Sequence, residues 1–135
     1  MYQYHMNNIF ILIGPTASGK SDLAMRLMSK FPFEIVNADL YSVYKELNIG
    51  TAKPSNEELN KYKHHLINIL EPTMQYNVSQ YCKDAHQSIS EILSLNKIPL
   101  ITGGTMMYVH QLLNGLSHEY NVSETDSNLI KFIQN

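Results

Sequence analysis

The sequence predicts an α/β fold, a doubly wound parallel sheet, and three observations carry that expectation. Short β-branched runs alternate with stretches whose apolar residues recur at helical spacing. The first run ends in a glycine-rich turn that opens a helix. The segments richest in reactive side chains all follow the C-terminal ends of predicted strands, where such sheets bind their ligands. Length agrees, since 135 residues suit one domain, and a domain near that size hides roughly two-thirds of its unfolded surface.

Ile9-Phe10-Ile11-Leu12-Ile13 is apolar throughout, as a strand covered on both faces should be. Leu23, Ala24, Leu27 and Met28 share one side of a helix predicted from Lys20 to Lys30, which Pro32 stops. Glu34 to Ala38 predicts a second strand with Asp39 just past its end, followed by a short helix from Tyr41 to Leu47. Gly50 to Ser55 is a loop by its turn residues. Leu66 to Leu70 is expected to be a third strand, closed by Glu71-Pro72.

Val78, Tyr81, Cys82, Ala85, Ile89, Ile92 and Leu93 form a single helical stripe, with Ser79 as the expected N-cap. Lys97 to Thr102 predicts another buried strand, with Pro99 near its start, where a missing donor costs least. Gly103-Gly104-Thr105 leads into a last helix, Met106 to Leu113, closed by Gly115. Beyond Leu116 the pattern fades, and His118 to Asn128 reads as polar and strand-free. Residues 1–117 are therefore expected to form the core, and 118–135 a poorly patterned polar tail.

Composition narrows the function classes. A hydrophobic fraction of 44% and a charged fraction of 16% exclude a disordered chain. The single cysteine, Cys82, has neither a disulfide partner nor a metal-ligand partner at useful spacing, which suits the reducing cytoplasm. No apolar run approaches the roughly 18 residues of a membrane span, and Met1 to Met6 lacks the features of a secretion signal. No membrane partner is expected. The net charge of −2 and a single arginine, Arg26, provide no basic face, so composition by itself argues mildly against a nucleic-acid partner.

The motifs carry more information. Gly14-Pro15-Thr16-Ala17-Ser18-Gly19-Lys20-Ser21 matches G-x-x-x-x-G-K-[ST] between a predicted strand and a predicted helix. Its glycines allow backbone N–H groups to surround phosphate oxygens. The helix N-terminus and Lys20 add positive charge, and the Ser21 hydroxyl is placed to ligate Mg²⁺. The pattern specifies phosphate without naming the ligand.

Enzymes that use such loops on nucleoside triphosphates usually add an acid at a buried strand's end, yet Leu100-Ile101-Thr102-Gly103-Gly104 has none. Asp39 is the only acid so placed. It could organise magnesium through water, accept a proton from a nucleophile, or bond the adjacent backbone. The Thr105 hydroxyl could meet a substrate atom or cap the following helix. His64-His65 lacks a third ligand at metal spacing, so ordinary hydrogen bonds are expected there. Tyr76, Tyr81 and Tyr108 lie in or near apolar stripes and are read as packing rather than base-stacking residues.

Taken together, several segments resemble one family. Besides Gly14 to Ser21 they are Asn37-Ala38-Asp39 with Val43-Tyr44, Asn48-Ile49-Gly50-Thr51-Ala52-Lys53-Pro54, His64-His65-Leu66-Ile67-Asn68, Tyr76-Asn77-Val78, and Pro99-Leu100-Ile101-Thr102-Gly103-Gly104-Thr105-Met106-Met107-Tyr108. Over residues 9 to about 117 the chain is similar to the tRNA dimethylallyltransferases (tRNA isopentenyltransferases). The resemblance implies a P-loop NTPase-like fold, incomplete here, and transfer of a dimethylallyl group from its diphosphate to the N6 of an adenine beside the anticodon. It implies that residues Gly14 to Ser21 hold the diphosphate, through Thr16, Lys20 and Ser21 in particular, with Mg²⁺ on Ser21. Asp39 would be the general base, with Thr105 assisting at the same nitrogen. Asp39, Leu40, Tyr41, Ser42 and Thr105 would meet the tRNA anticodon loop.

The chain also departs from the family's pattern. The family commonly reads Asp-Ser-Met-Gln where this chain has Asp39-Leu40-Tyr41-Ser42, so the glutamine that meets RNA is absent. The arginine expected some way after Gly-Gly-Thr is missing from Asp126 to Lys131. Family members are longer, and their second half supplies an RNA-gripping insertion and further catalytic-domain helices. The rival readings are an adenylate-type isopentenyltransferase, a P-loop kinase of a small metabolite, and a non-catalytic chain that binds diphosphate or a partner.

Overall fold

The apolar run near the start of the chain forms β1 (Asn8–Ile13) and the amphipathic stretch after it forms α1 (Lys20–Lys30). They are followed by β2 (Phe33–Asn37), α2 (Leu40–Val43), α3 (Asn56–Lys61), β3 (His64–His65), α4 (Val78–Ser94), β4 (Ile98–Gly103), α5 (Met106–Leu116) and β5 (Asn121–Thr125). The structure, a computed structural model, describes residues 8–13, 20–46, 53–116 and 121–125. The strands form one sheet in the order β3-β2-β4-β1-β5, every pair parallel. This is the doubly wound arrangement expected from the sequence.

Because successive strand side chains point to opposite faces, the sheet divides the core in two. Ile9, Ile11, Val36 and Ile101 pack with Tyr81, Ala85, Ile89 and Ile92 of α4 and with Val109, Leu112 and Leu116 of α5. On the other face Leu12, Ile35 and Leu100 meet Leu23, Ala24 and Leu27 of α1. Pro99 sits in the central strand without breaking it. Ile98 N–H donates toward β2, to the Pro32 carbonyl, so the Pro99 nitrogen faces β1, where pairing begins only at Leu100.

Several local expectations need correction. Residues 66–70 are not a strand; β3 is His64–His65, because Leu66 and Asn68 adopt positive φ (67° and 58°) and turn the chain out of register. Leu70 contributes only an isolated bridge to Tyr44. α2 ends at Val43 instead of reaching Leu47, which lies outside the described residues. α3 was not expected, although its signal was legible: Ser55 and Glu58 form a reciprocal capping box. The N-cap of α4 is Asn77, whose side chain accepts from Gln80 N–H at 2.8 Å, and Ser79 lies in the first turn. α5 continues through Gly115 to Leu116. The stretch read as strand-free contains β5, which pairs with β1 from Asn8↔Asn121 to Leu12↔Thr125. Polarity concealed this edge strand, since edges need no continuous apolar run.

Candidate functional site

The site is built around the end of β2. Asn37 is buried there (5% exposed), and its side chain is fully used. Its Oδ1 accepts from Asp39 N–H at 3.0 Å, while its Nδ2 donates to the carbonyls of Asp39 and Leu66 at 2.9 and 3.0 Å. The Asn37 carbonyl in turn accepts from the Tyr81 hydroxyl at 2.8 Å. Tyr81 is wholly buried and stacks on Tyr108, with centroids 4.5 Å apart. Burial pushes the Tyr81 phenol above its ordinary range, so it remains a protonated donor. These rings therefore serve packing and anchoring, as the sequence suggested.

The adjoining backbone is clamped to β4. Ala38 N–H donates to the Thr102 carbonyl at 2.8 Å, and Thr105 N–H donates to the Ala38 carbonyl at 3.0 Å. The approach is so close that a Cβ on Gly103 would lie 2.2 Å from the Ala38 carbonyl carbon and 2.6 Å from Asp39 N. Only glycine fits there. Both roles weighed for Thr105 are modified: its carbonyl starts α5, accepting from Tyr108 and Val109 N–H, while its hydroxyl accepts from Leu40 N–H across the site at 2.8 Å. Among the described residues no other partner engages it, which leaves one lone pair and the hydroxyl proton.

Asp39 is thus fixed through its neighbours. One carboxylate oxygen accepts from Tyr41 N–H at 3.0 Å; the other accepts no hydrogen bond among the described residues. Beside it lies a cavity of about 310 Å³, lined by Asn37, Asp39, Ser42, Lys53 and His64 together with apolar Met25 and Ile67. Lys53 spans its rim, donating to the Tyr44 carbonyl and to Asn68 Oδ1, both at 2.8 Å. Burial lowers the Lys53 pKa and the charge of Asp39 opposes that shift, so carboxylate and ammonium act on each other across the cavity. Neither Asn37 nor Lys53 was assigned a role from sequence, because strand-end asparagines and loop lysines are common. Only the fold brings Lys53 to Asp39.

The two histidines separate. His64 Nδ1–H donates to the Tyr62 carbonyl at 2.8 Å, and burial lowers its pKa. His65 Nε2 lies 2.8 Å from Glu34, which also receives Lys97 at 2.9 Å, at the sheet end away from Asp39. No group of three or more His, Cys, Asp or Glu able to hold a metal occurs among the described residues.

Of the predicted site residues, the fold brings Asp39, Leu40, Tyr41, Ser42 and Thr105 together. Leu40 packs against the core, Ser42 is buried and lines the cavity, and Tyr41 is exposed. Gly14 to Gly19 lie outside the described residues, as do the side chains of Lys20 and Ser21. The backbone of α1 begins at Lys20, where the motif requires a helix to start.

A family model described as IPP transferase matches residues 42–134. The chain is 49% identical over 109 residues to the tRNA dimethylallyltransferase of Legionella pneumophila (strain Corby), covering 81% of this chain and 35% of that one. It is similar in fold to a tRNA delta(2)-isopentenylpyrophosphate transferase from Staphylococcus epidermidis, with TM-score 0.74, 37% identity, and coverage of 78% and 35% of the two chains. A eukaryotic dimethylallyltransferase whose structure was solved acting on tRNA gives TM-score 0.73 at 31% identity, covering 78% and 26%. These likenesses also carry the P-loop NTPase-like class of the sheet. The chain spans about a third of the length of the curated relatives it matches.

Proposed function

Because the chain belongs to the IPP transferase family, we propose that it supplies the donor- and base-handling part of a tRNA dimethylallyltransferase. The reaction joins the adenine N6 to the terminal allylic carbon of dimethylallyl diphosphate, breaks that carbon's bond to oxygen, and releases diphosphate. An adenine amino group is a weak nucleophile, so departure of the diphosphate carries much of the barrier. Preorganised donors on such a leaving group are worth roughly 3–4 kcal/mol each. Residues Gly14 to Ser21 are proposed to provide them, with Thr16, Lys20 and Ser21 foremost.

Asp39 takes the proton that N6 loses, through the carboxylate oxygen that accepts no hydrogen bond among the described residues. That oxygen is the single observation carrying the reading. It stands at a parallel-strand end, held by the contacts of Asn37 and Thr105, next to a cavity large enough for a base. The Thr105 hydroxyl, one lone pair spent on Leu40 N–H, assists at the same nitrogen. Asp39, Leu40, Tyr41, Ser42 and Thr105 form the RNA-facing segment.

The donor set fits Mg²⁺. The Ser21 hydroxyl of the phosphate motif is a hard oxygen ligand, and Mg²⁺ usually shares such groups with substrate phosphates instead of sitting in an all-protein cage. Ser21 would hold it, and when bound it neutralises charge on the diphosphate. No helix among the described residues is long and apolar enough to cross a membrane; a tRNA substrate and one cysteine suit the cytoplasm.

Titration calorimetry with dimethylallyl diphosphate and Mg²⁺ tests the binding half of the proposal. Binding that Lys20→Ala abolishes is expected, and micromolar binding of ATP in place of the prenyl donor would replace the reading with a small-metabolite kinase. Transfer of labelled dimethylallyl to an anticodon-loop RNA tests the chemistry. The 135-residue chain is expected to transfer little alone, and in a full-length protein Asp39→Ala should cost roughly 10²–10⁴ in rate.

A further inference from the structure

Large apolar side chains exposed among the described residues are Tyr41, Ile69, Met74, Leu95, Met106 and Met107. Three of these six, Tyr41 (61% exposed), Met106 (39%) and Met107 (64%), lie within two positions of Asp39 or Thr105. The hydrogen bond from Leu40 N–H to Thr105 Oγ1 and that from Thr105 N–H to the Ala38 carbonyl bring their two segments side by side. An apolar rim, beside the Lys53 that also lines the cavity, therefore borders Asp39, whose second carboxylate oxygen accepts no hydrogen bond among the described residues. Apolar groups gathered at a reactive site mark a contact surface.

Resting on the adenine chemistry proposed above, we infer that Tyr41 is the stacking platform for the unpaired base next to the target adenine. The backbone of Tyr41 is fixed relative to the carboxylate, since its N–H donates to Asp39 Oδ1 at 3.0 Å. Its ring is free of the core, unlike Leu40, which packs into it, and Ser42, which is buried. An adenine delivered to Asp39 must be unstacked from its neighbours in the loop. The neighbour then offers an open π-face, and aromatic side chains are the usual acceptors of such bases in single-stranded RNA. Stacking also suits the apolar part of the rim, because it needs no phosphate contact. In this reading Tyr41 supplies by ring contact the RNA recognition for which the segment lacks a glutamine.

The test is binding of an RNA hairpin whose loop carries 2-aminopurine beside the target adenine, followed by its fluorescence. The chain has no tryptophan, so the probe is read without interference. Wild type should quench the probe on binding. Tyr41→Phe should bind and quench as wild type does, whereas Tyr41→Ala should lose about tenfold or more in affinity together with the quenching. Leu95→Ala, an exposed apolar residue just past the end of α4, should change neither. Tyr41→Ala binding and quenching as wild type overturns the inference and leaves the proposed function standing. Loss of urea stability in Tyr41→Ala with unchanged affinity also overturns it, since the ring would then be covered by protein. No binding of the hairpin by wild type overturns the inference, while the donor-binding measurement above decides the proposed function separately.

Discussion

Thr105 and Glu34 illustrate how single side chains hold opposite ends of the sheet. The Thr105 hydroxyl is the acceptor for Leu40 N–H, and Thr105→Val leaves that donor without a partner. The expected cost is about 1–3 kcal/mol, read as a lower urea midpoint at constant m, while Thr105→Ser should stay near wild type. Glu34 is 5% exposed and lies between His65 and Lys97. Burial pushes its pKa up, but hydrogen bonds and charge from His65 and Lys97 outweigh that, leaving the carboxyl below its ordinary value of 4.5. A depressed folded-state value means the stabilisation is complete above the ordinary value and disappears as pH falls through the lower one. Urea midpoints should therefore drop on acidification below about pH 5, and Glu34→Gln should flatten that dependence while costing about 1–3 kcal/mol at neutral pH. An unchanged pH profile in Glu34→Gln would show that other carboxylates govern it.

At the scale of elements, the caps decide where helices begin and end. Asn77 accepts from Gln80 N–H at the start of α4, so Asn77→Ala should cost about 1 kcal/mol and Ser79→Ala should cost nothing measurable by thermal denaturation. The reverse order would restore Ser79 as the cap. In α5, Gly115 lies inside the helix, and a Cβ there would meet nothing within 4 Å. Gly115→Ala should accordingly raise stability by about 0.5–1 kcal/mol. Destabilisation would mean that the helix stops there after all. Both positions misled the sequence reading for one reason. Serine and glycine are good caps, but asparagine two residues earlier competes for the first donor, and Leu116, buried on the core, draws α5 past its glycine.

The whole molecule depends on strands distant in sequence. β1 is flanked by β4 on one side and β5 on the other. Removing residues 118–135 would strip β5 and leave a long unpaired edge on an apolar strand, a template for association. The shortened chain should lose hydrogen-exchange protection in β1 and scatter light at rising concentration. Equal protection and solubility would instead favour a core ending at residue 117. That boundary was drawn from fading apolar periodicity, a signal that an edge strand satisfied by backbone pairing does not need.

The sequence by itself determined the sheet class and the strand and helix that flank the phosphate motif, and it pointed to Asp39 and Thr105 as candidate site residues. Alternation, helical periodicity and a motif with fixed spacing are local properties, and local sterics and hydrogen bonding enforce them wherever the rest of the chain lies. Only the tertiary structure decided that Asn37 and Tyr81 anchor the Asp39 turn, that Gly103 must be bare, that Lys53 faces Asp39 across a cavity, and that Tyr41 alone of its segment is exposed. Apart from the exposure of Tyr41 and the short-range bonds of Asn37 to Asp39, each is a contact between residues well separated in the chain, 44 positions for Asn37 and Tyr81. Its partner is chosen by how the sheet and helices pack, and packing leaves no mark at either residue's own position.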